Sequence, residues 1–160
     1  MQLLPYDRQK AADYAKTWAY RRNPRYFNFD GIGGDCTNFV SQCIYAGCGV
    51  MNDTKDTGWY YRSPTDRAAA WSGVDYLYRF LTRSRDTPGP VAHNTGLDGI
   101  LTGDVIQLQN AQGLWYHTLF VCEPGPNSLV AAHTMDVYRR PLSSYSYHAA
   151  RFLHLEGAWS

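Results

Sequence analysis

The sequence predicts an α+β fold, in which helices come first and an antiparallel sheet follows. Every helical pattern lies before residue 82, and every strand pattern lies after residue 104. Helices followed by a run of short strands are typical of antiparallel sheets, whereas doubly wound folds alternate strands with helices. The chain has 160 residues, which suits a single domain over 1–160 with a real hydrophobic core.

Three stretches carry helical patterns ahead of the sheet. The first covers residues 5–23, where alanines and aromatic residues recur at helical spacing until an Asn-Pro pair ends it. A glycine-rich turn over residues 28–35 leads into a second helix at 36–46, with Gly47 as its stop. A third helix is predicted over residues 63–81, starting at the sequence Ser-Pro-Thr-Asp.

Four short apolar runs follow a loop that is rich in proline and glycine, and they are predicted to be strands. The loop covers residues 87–103, and the strand segments are 105–108, 118–122, 129–132 and 152–155. A strong turn signal, Pro-Gly-Pro-Asn, separates the second strand from the third, so these two are expected to form a hairpin.

Cys36 is the first candidate for chemistry because it lies at the predicted start of the second helix. Unpaired backbone N–H groups and the positive end of the helix dipole favour a thiolate there, and the same N–H groups suit a developing oxyanion. Cys36, Phe39, Val40 and Cys43 share one helical stripe that must pack on the sheet. A small buried hydrophobic residue is the alternative interpretation of Cys36.

His117 and His133 are the next candidates because they flank the predicted hairpin. A turn centred near Gly125 places residue 117 opposite residue 133, give or take one position. One imidazole would then orient the other. A thiolate at a helix start, a histidine on the facing sheet and a third polar group together favour a cysteine hydrolase. The alternative for each histidine alone is a structural role.

Composition excludes several classes of function. Lys plus Arg number 15 and Asp plus Glu number 14, and so balanced a charge argues against a nucleic-acid partner. No CxxC pair is present, which argues against a zinc ribbon or a thioredoxin motif, and the predicted site uses no metal or cofactor. No apolar run approaches the ~20 residues that cross a bilayer, and charges among the first residues argue against a signal peptide. The sequence carries no signal for the oligomeric state.

Residues 35–42 (DCTNFVSQ) resemble the nucleophile motif of the NlpC-like papain-fold cysteine peptidases. Residues 103–106 (GDVI) are similar to the Gly-Asp-aliphatic strand that precedes the catalytic histidine of those enzymes, and residues 117–121 (HTLFV) match the strand which that histidine opens. Within this superfamily the chain is most similar to the bacterial putative amidase domain family. The further segments that carry this likeness are YDR at 6–8, NP at 23–24, GWYY at 58–61 and AHT at 132–134.

The resemblance implies a papain-like (NlpC-type) fold, with the nucleophile helix packed on the antiparallel sheet. It implies an extracellular or cell-surface hydrolase that cleaves an amide bond in peptidoglycan peptides through a thioester. Cys36 would be the nucleophile, His117 the base and His133 the group that orients the base. One departure is Asn38, which stands where the cell-wall peptidases commonly have glycine.

Several neighbouring residues are candidates for binding the peptide substrate. Asp35 precedes the nucleophile and either caps the helix or touches substrate. Four aromatic residues bracket the loops expected to flank Cys36 and His117, and they either wall a substrate groove or pack the loops: Trp59, Tyr60, Trp115 and Tyr116. Two other functions stay open, a non-catalytic cell-wall-binding module and an acyltransferase that passes the acyl group to an amine.

Overall fold

A computed structural model describes residues 1–160 and has an α+β architecture with one main antiparallel sheet. The helices are α1 (Arg8–Trp18), α2 (Cys36–Cys48), α3 (Ala69–Ser72) and α4 (Val74–Leu81). The strands are β1 (Leu3–Leu4), β2 (Tyr61–Ser63), β3 (Asp66–Arg67), β4 (Gly89–Thr95), β5 (Val105–Gln109), β6 (Trp115–Glu123), β7 (Leu129–Ala132), β8 (Val137–Pro141) and β9 (Ala149–Trp159). The predicted α+β class is confirmed.

The main sheet has seven strands in the order β1-β9-β5-β6-β7-β8, and β4 also pairs with β9. Strand β9 is the longest, and it pairs with β5 near its start and with β4 over the rest of its length. Strands β2 and β3 form a separate hairpin. Strand β6 pairs with β5 from Trp115 to Phe120 and with β7 only from Phe120 onward, so its first residues are held by β5 alone.

Helix α2 is the central helix, packed between α1, α3 and the sheet strand β6. Ten of its 13 residues are buried. Its apolar stripe of Phe39, Val40, Cys43 and Ile44 enters the larger of two cores, which lies between the helices and the sheet. A smaller core of strand residues covers the opposite sheet face. Because both faces of β5 to β7 are buried, the sheet is a rigid platform for α2.

The third predicted helix starts later than expected, because its predicted first residues form a hairpin. The Ser-Pro-Thr-Asp segment connects β2 to β3, where proline and aspartate favour a turn. Helices α3 and α4 follow, separated at Gly73. A Cβ on Gly73 would lie 2.8 Å from the Tyr76 ring and 3.0 Å from the Ala69 oxygen, so the break requires a residue without a side chain.

Strand β4 (Gly89–Thr95) occupies seven residues of the predicted loop over 87–103, which corrects that expectation. Its sequence contains Pro90, which has no N–H to donate. Strand β4 tolerates this residue because it is an edge strand that pairs with β9 alone. Composition hid the strand, because proline and glycine lower the strand propensity of a segment regardless of its place in a sheet.

The predicted pairing of His117 with His133 is wrong. Strands β6 and β7 pair Phe120 with Ala131 and Val121 with Val130, and their pairing begins at Phe120. His117 lies three residues before that point and pairs with Leu108 of β5 instead. Strand β7 ends at Ala132, so His133 belongs to the turn that leads into β8.

Asp104 joins the beginning of the chain to its end. Its fully buried carboxylate accepts hydrogen bonds from the side chains of Arg8 at 2.8 Å and His154 at 2.8 Å. The backbone N–H groups of Leu101 and Leu155 also donate to it. The Gly-Asp pair ahead of β5 thus anchors α1 and β9 around the sheet strand that lies beside His117.

Candidate active site

Cys36 and His117 line one open cleft of about 320 Å³ at the N-terminal end of α2. Cys36 is the first residue of that helix, and His117 is the third residue of β6. The other residues lining the cleft are Gly33, Gly34, Tyr116, Thr134, Met135, Arg140 and Tyr145. Three chain segments therefore meet at the thiol: the glycine-rich turn before α2, the start of β6 and the region around β8.

The Cys36 sulfur faces hydrogen-bond donors on two elements. The backbone of Thr118 and of Thr37 lowers the pKa of the thiol, and the Thr37 hydroxyl oxygen lies 3.8 Å from the sulfur. These contacts favour a thiolate, but burial of the side chain outweighs them and raises the pKa of the Cys36 thiol. The thiolate expected from the helix dipole alone is therefore corrected, because Cys36 is only 6% exposed.

His117 is buried between aromatic rings. Its own ring is stacked on Tyr116 and tilted against Tyr145, with centroids 5.9 Å apart in each case. Burial, reinforced by the positive charge of Arg140, lowers the pKa of His117 to about 4. The imidazole is therefore neutral near pH 7 and free to accept a proton. It makes no hydrogen bond to Cys36, as is common in a site without substrate.

A buried chain of hydrogen bonds leads from Arg151 to the thiol. Arg151 donates to the Gln107 side-chain oxygen, which leaves the Gln107 amide nitrogen to donate to the Thr118 hydroxyl at 3.2 Å. The Thr118 and Thr37 hydroxyl oxygens are 2.8 Å apart. Because the Thr118 hydroxyl already accepts from Gln107, its own proton is available to donate to the Thr37 oxygen. The Thr37 hydroxyl can then donate its proton to the sulfur.

His133 lies beneath the start of α2 and does not contact His117. Its Nε2 donates to the Trp18 carbonyl oxygen at 2.8 Å, and its Nδ1 is 2.5 Å from an Asp35 carboxylate oxygen. A carbonyl oxygen can only accept, so Nε2 is the donor to Trp18. The ring is stacked on Phe39 of α2, with centroids 4.0 Å apart. This geometry connects the end of α1, the start of α2 and the turn after β7.

Asp35 is fully buried and makes no cap to the N–H groups of α2. Its carboxylate accepts from the Phe29 N–H and the Asn38 side chain, and Arg22 Nε lies 3.3 Å away. Burial raises the pKa of Asp35, but hydrogen bonds from His133, Phe29 and Asn38 outweigh it and hold the pKa below its usual value. Asp35 is therefore ionised and enclosed by donors, out of reach of a substrate in the cleft.

Of the four predicted aromatic wall residues, the structure brings only Tyr116 to the cleft. Trp59 is fully buried, lies tilted against the Trp71 ring and donates to Ser41, and Tyr60 is also buried. The Trp115 ring packs against Arg151, whose guanidinium carbon lies 4.0 Å from the centre of that ring. The loop containing Trp59 packs inward because Trp59 belongs to the aromatic core.

Several residues of the cleft and its surroundings could not be found from local sequence patterns. Arg140 and Tyr145 reach the site from β8 and the segment after it, and β8 was not predicted. Thr37 is an ordinary helix residue and Thr118 is an ordinary strand residue, so their residue types alone do not mark them as part of a site. The one available signal was adjacency, since Thr37 follows the nucleophile candidate and Thr118 follows the histidine candidate.

The fold and the cleft define an α+β domain in which a buried thiol and a neutral imidazole share one opening. The chain belongs to the putative amidase domain family, whose model matches residues 5–155. It is 31% identical over 136 residues to the uncharacterized protein YhbB of Bacillus subtilis, an alignment that covers 82% of this chain and 42% of that protein. The chain thus spans less than half the length of that relative.

No solved structure matches the chain. No helix has both the length and the apolar character that crossing a membrane requires.

Proposed function

We propose that this domain hydrolyses an amide bond with Cys36 as the nucleophile and His117 as the general base. The observation that carries the proposal is that the two side chains line the same cleft at the N-terminal end of α2. Membership of the putative amidase domain family supports the reaction class. The neutral His117 ring supports its role as proton acceptor.

The reaction would begin with a neutral thiol and a neutral imidazole. His117 takes the Sγ proton as the sulfur attacks the carbonyl carbon, which forms a tetrahedral oxyanion. The Cys36 backbone N–H, which makes no hydrogen bond in the structure, is placed to donate to that oxyanion. The imidazolium then gives its proton to the leaving nitrogen as the C–N bond breaks, and a thioester remains.

The second half of the reaction uses the same two residues. His117 takes a proton from a water molecule as its oxygen attacks the thioester carbon, and the proton returns to the sulfur as the C–S bond breaks. The products are a carboxylic acid and the amine released earlier. Cys36 and His117 are both uncharged before the reaction, because burial disfavours the thiolate and the imidazolium alike.

We further propose that the domain is an NlpC-like papain-fold enzyme that acts on peptidoglycan peptides outside the cell. The sequence around Cys36, the Gly-Asp pair ahead of β5 and the histidine on β6 support this placement. His133 would act as a positioning residue, since it holds Asp35 and the start of α2 and does not touch His117.

Mass spectrometry of purified peptidoglycan treated with wild type and with Cys36→Ala tests the proposal. Wild type should release peptides with new amine and carboxylate termini, and Cys36→Ala should release none. Adding a small amine separates hydrolysis from transfer, because a transferase would leave that amine on the product. If neither protein cleaves and both bind peptidoglycan equally, the domain is a binding module.

A further inference from the structure

Arg140 is the one charged residue that lines the cleft, and no carboxylate balances it. Its Nε and Nη2 donate to the Ser144 hydroxyl and carbonyl oxygens at 2.7 and 3.1 Å. Its guanidinium carbon lies 3.8 Å from the centre of the Tyr145 ring. These contacts fix the plane of the group, while Nη1 makes no hydrogen bond. No acidic side chain lies within ion-pair distance of Arg140.

The neighbouring Arg139 shows what an ordinary arginine of this strand does. Its guanidinium pairs with Glu123 at 3.1 Å, and about half of its side chain is exposed. Arg140 is more buried than Arg139 and yet has no anionic partner. An immobilised guanidinium with a free N–H edge is the geometry with which proteins bind carboxylates.

From this geometry we infer that Arg140 binds a carboxylate of the substrate, so that the enzyme selects acyl groups that carry a carboxylate near the scissile amide. The inference rests on the proposed function for the reaction, and it adds the class of substrate. Tyr145 holds the guanidinium from one side, and Ser144 holds two of its nitrogens, which leaves Nη1 for the ligand.

Binding of a carboxylate would also change the base. Burial is the main cause of the lowered pKa of His117, and the nearby Arg140 charge adds to it by disfavouring the protonated ring. A carboxylate paired with Arg140 offsets this charge, so the imidazolium that forms during attack becomes easier to reach. A correct substrate would therefore raise the basicity of His117 at the moment when the proton must move.

Alkylation of Cys36 by iodoacetate and by iodoacetamide tests the inference without a known substrate. The two reagents form the same C–S bond with loss of iodide, but only iodoacetate carries a carboxylate. Both reagents react with the same Cys36 thiolate, so the ratio of their rates does not depend on the fraction of the thiol that is ionised. Peptide mapping by mass spectrometry separates Cys36 from the other three cysteines, and the same peptide in urea supplies the reference ratio.

We expect the iodoacetate-to-iodoacetamide ratio in the folded wild type to exceed the urea reference about tenfold, as a charge-assisted hydrogen bond would give. Arg140→Gln should return the ratio to the reference. Arg139→Gln is the matched control, because it removes the same charge one residue away, and it should keep the wild-type ratio. A folded wild type with the reference ratio, or equal loss in both variants, would overturn the inference.

A measurement on wild type alone covers the case in which Arg140→Gln does not fold. Raising the ionic strength should lower the rate at which iodoacetate alkylates Cys36 and leave the rate with iodoacetamide unchanged. Equal responses of the two reagents would overturn the inference. Both readouts are independent of hydrolysis, so failure of the proposed function in the peptidoglycan experiment would leave this result interpretable.

Discussion

His117 makes the stability of the protein depend on pH. An unfolded histidine titrates near 6.5, whereas in the folded protein the pKa is lowered to about 4. As the pH falls from 6.5 to 4, the unfolded state gains a proton that the folded state does not, so the free energy of unfolding decreases. The expected decrease is about 3 kcal/mol, most of it present once pH 4 is reached.

Urea unfolding of wild type and His117→Asn between pH 7 and pH 4 measures this effect. His117→Asn should lose about 3 kcal/mol less than wild type over that range. His148→Asn is the control, because His148 is exposed and should leave the wild-type profile unchanged. Equal pH dependence in wild type and His117→Asn would show that the histidine is not held neutral.

Cys36 should rest as a protonated thiol at neutral pH and react through the small thiolate fraction. Because burial raises the pKa of its thiol, the rate of iodoacetamide alkylation should keep increasing with pH beyond the range of an ordinary cysteine. The measurement is the pH–rate profile of the Cys36 peptide. A plateau with a midpoint below pH 7 would instead reveal a preformed thiolate and imidazolium pair, and the neutral starting state proposed above would be wrong.

Between elements, the hydrogen-bond chain connects β5 and β6 to the first turn of α2. Thr118→Val keeps the shape of the side chain but removes the hydroxyl that joins Gln107 to Thr37. Without that hydroxyl, Thr37 loses a partner and donates less well to the sulfur. We expect a roughly tenfold slower reaction of Cys36, by the usual value of a buried hydrogen bond.

Thr118→Ser separates this effect from a loss of packing. Serine keeps the hydroxyl and loses only a methyl group, so it should restore most of the reactivity of Cys36. The measurement is the alkylation rate of Cys36 in both variants at one pH, with unfolding monitored in parallel. If valine and serine have the same effect, the hydroxyl chain does not reach the sulfur.

Asp104 shows how a motif seen in the sequence serves the fold. Its carboxylate joins α1, the segment before β5 and strand β9, and it is fully buried. Asp104→Asn removes the charge that Arg8 and His154 face, so the free energy of unfolding should decrease by about 3 kcal/mol. Asp98→Asn, at an exposed position, should change it by less than about 0.5 kcal/mol.

Urea denaturation of both variants checks this prediction. A loss in Asp104→Asn no larger than in Asp98→Asn would mean that the buried contacts of Asp104 do not anchor the two ends of the chain.

At the scale of the whole molecule, the sequence predicted what local patterns determine. The start of α2 at Cys36, strands β5 and β7, and the α+β class follow from spacing and turn residues. Strand β4 could not be predicted, because its tolerance of Pro90 depends on an edge position that only the assembled sheet defines. The hairpin at 61–67 takes the place of the first residues of the third predicted helix, because turn residues and helix-starting residues are the same types.

Some residues of the candidate site could likewise be predicted from the sequence, and others could not. Cys36 and His117 were recognisable because each lies beside a local boundary, a helix start and a strand start. The partners of His133 were not, since Asp35 and the Trp18 carbonyl come from elements far apart in the chain. Arg140 was missed because its significance depends on the absence of an anionic neighbour, which is a property of the folded molecule.

The account depends on Cys36 and His117 acting as one unit, and a double-mutant cycle tests this most directly. The measurement is the rate at which new free amines appear in purified peptidoglycan with wild type, Cys36→Ala, His117→Ala and the double variant. Residues that act together are not additive, so each single variant should lose nearly all of the activity and the double variant should lose no more. Retained cleavage by Cys36→Ala, or additive losses, would contradict the account.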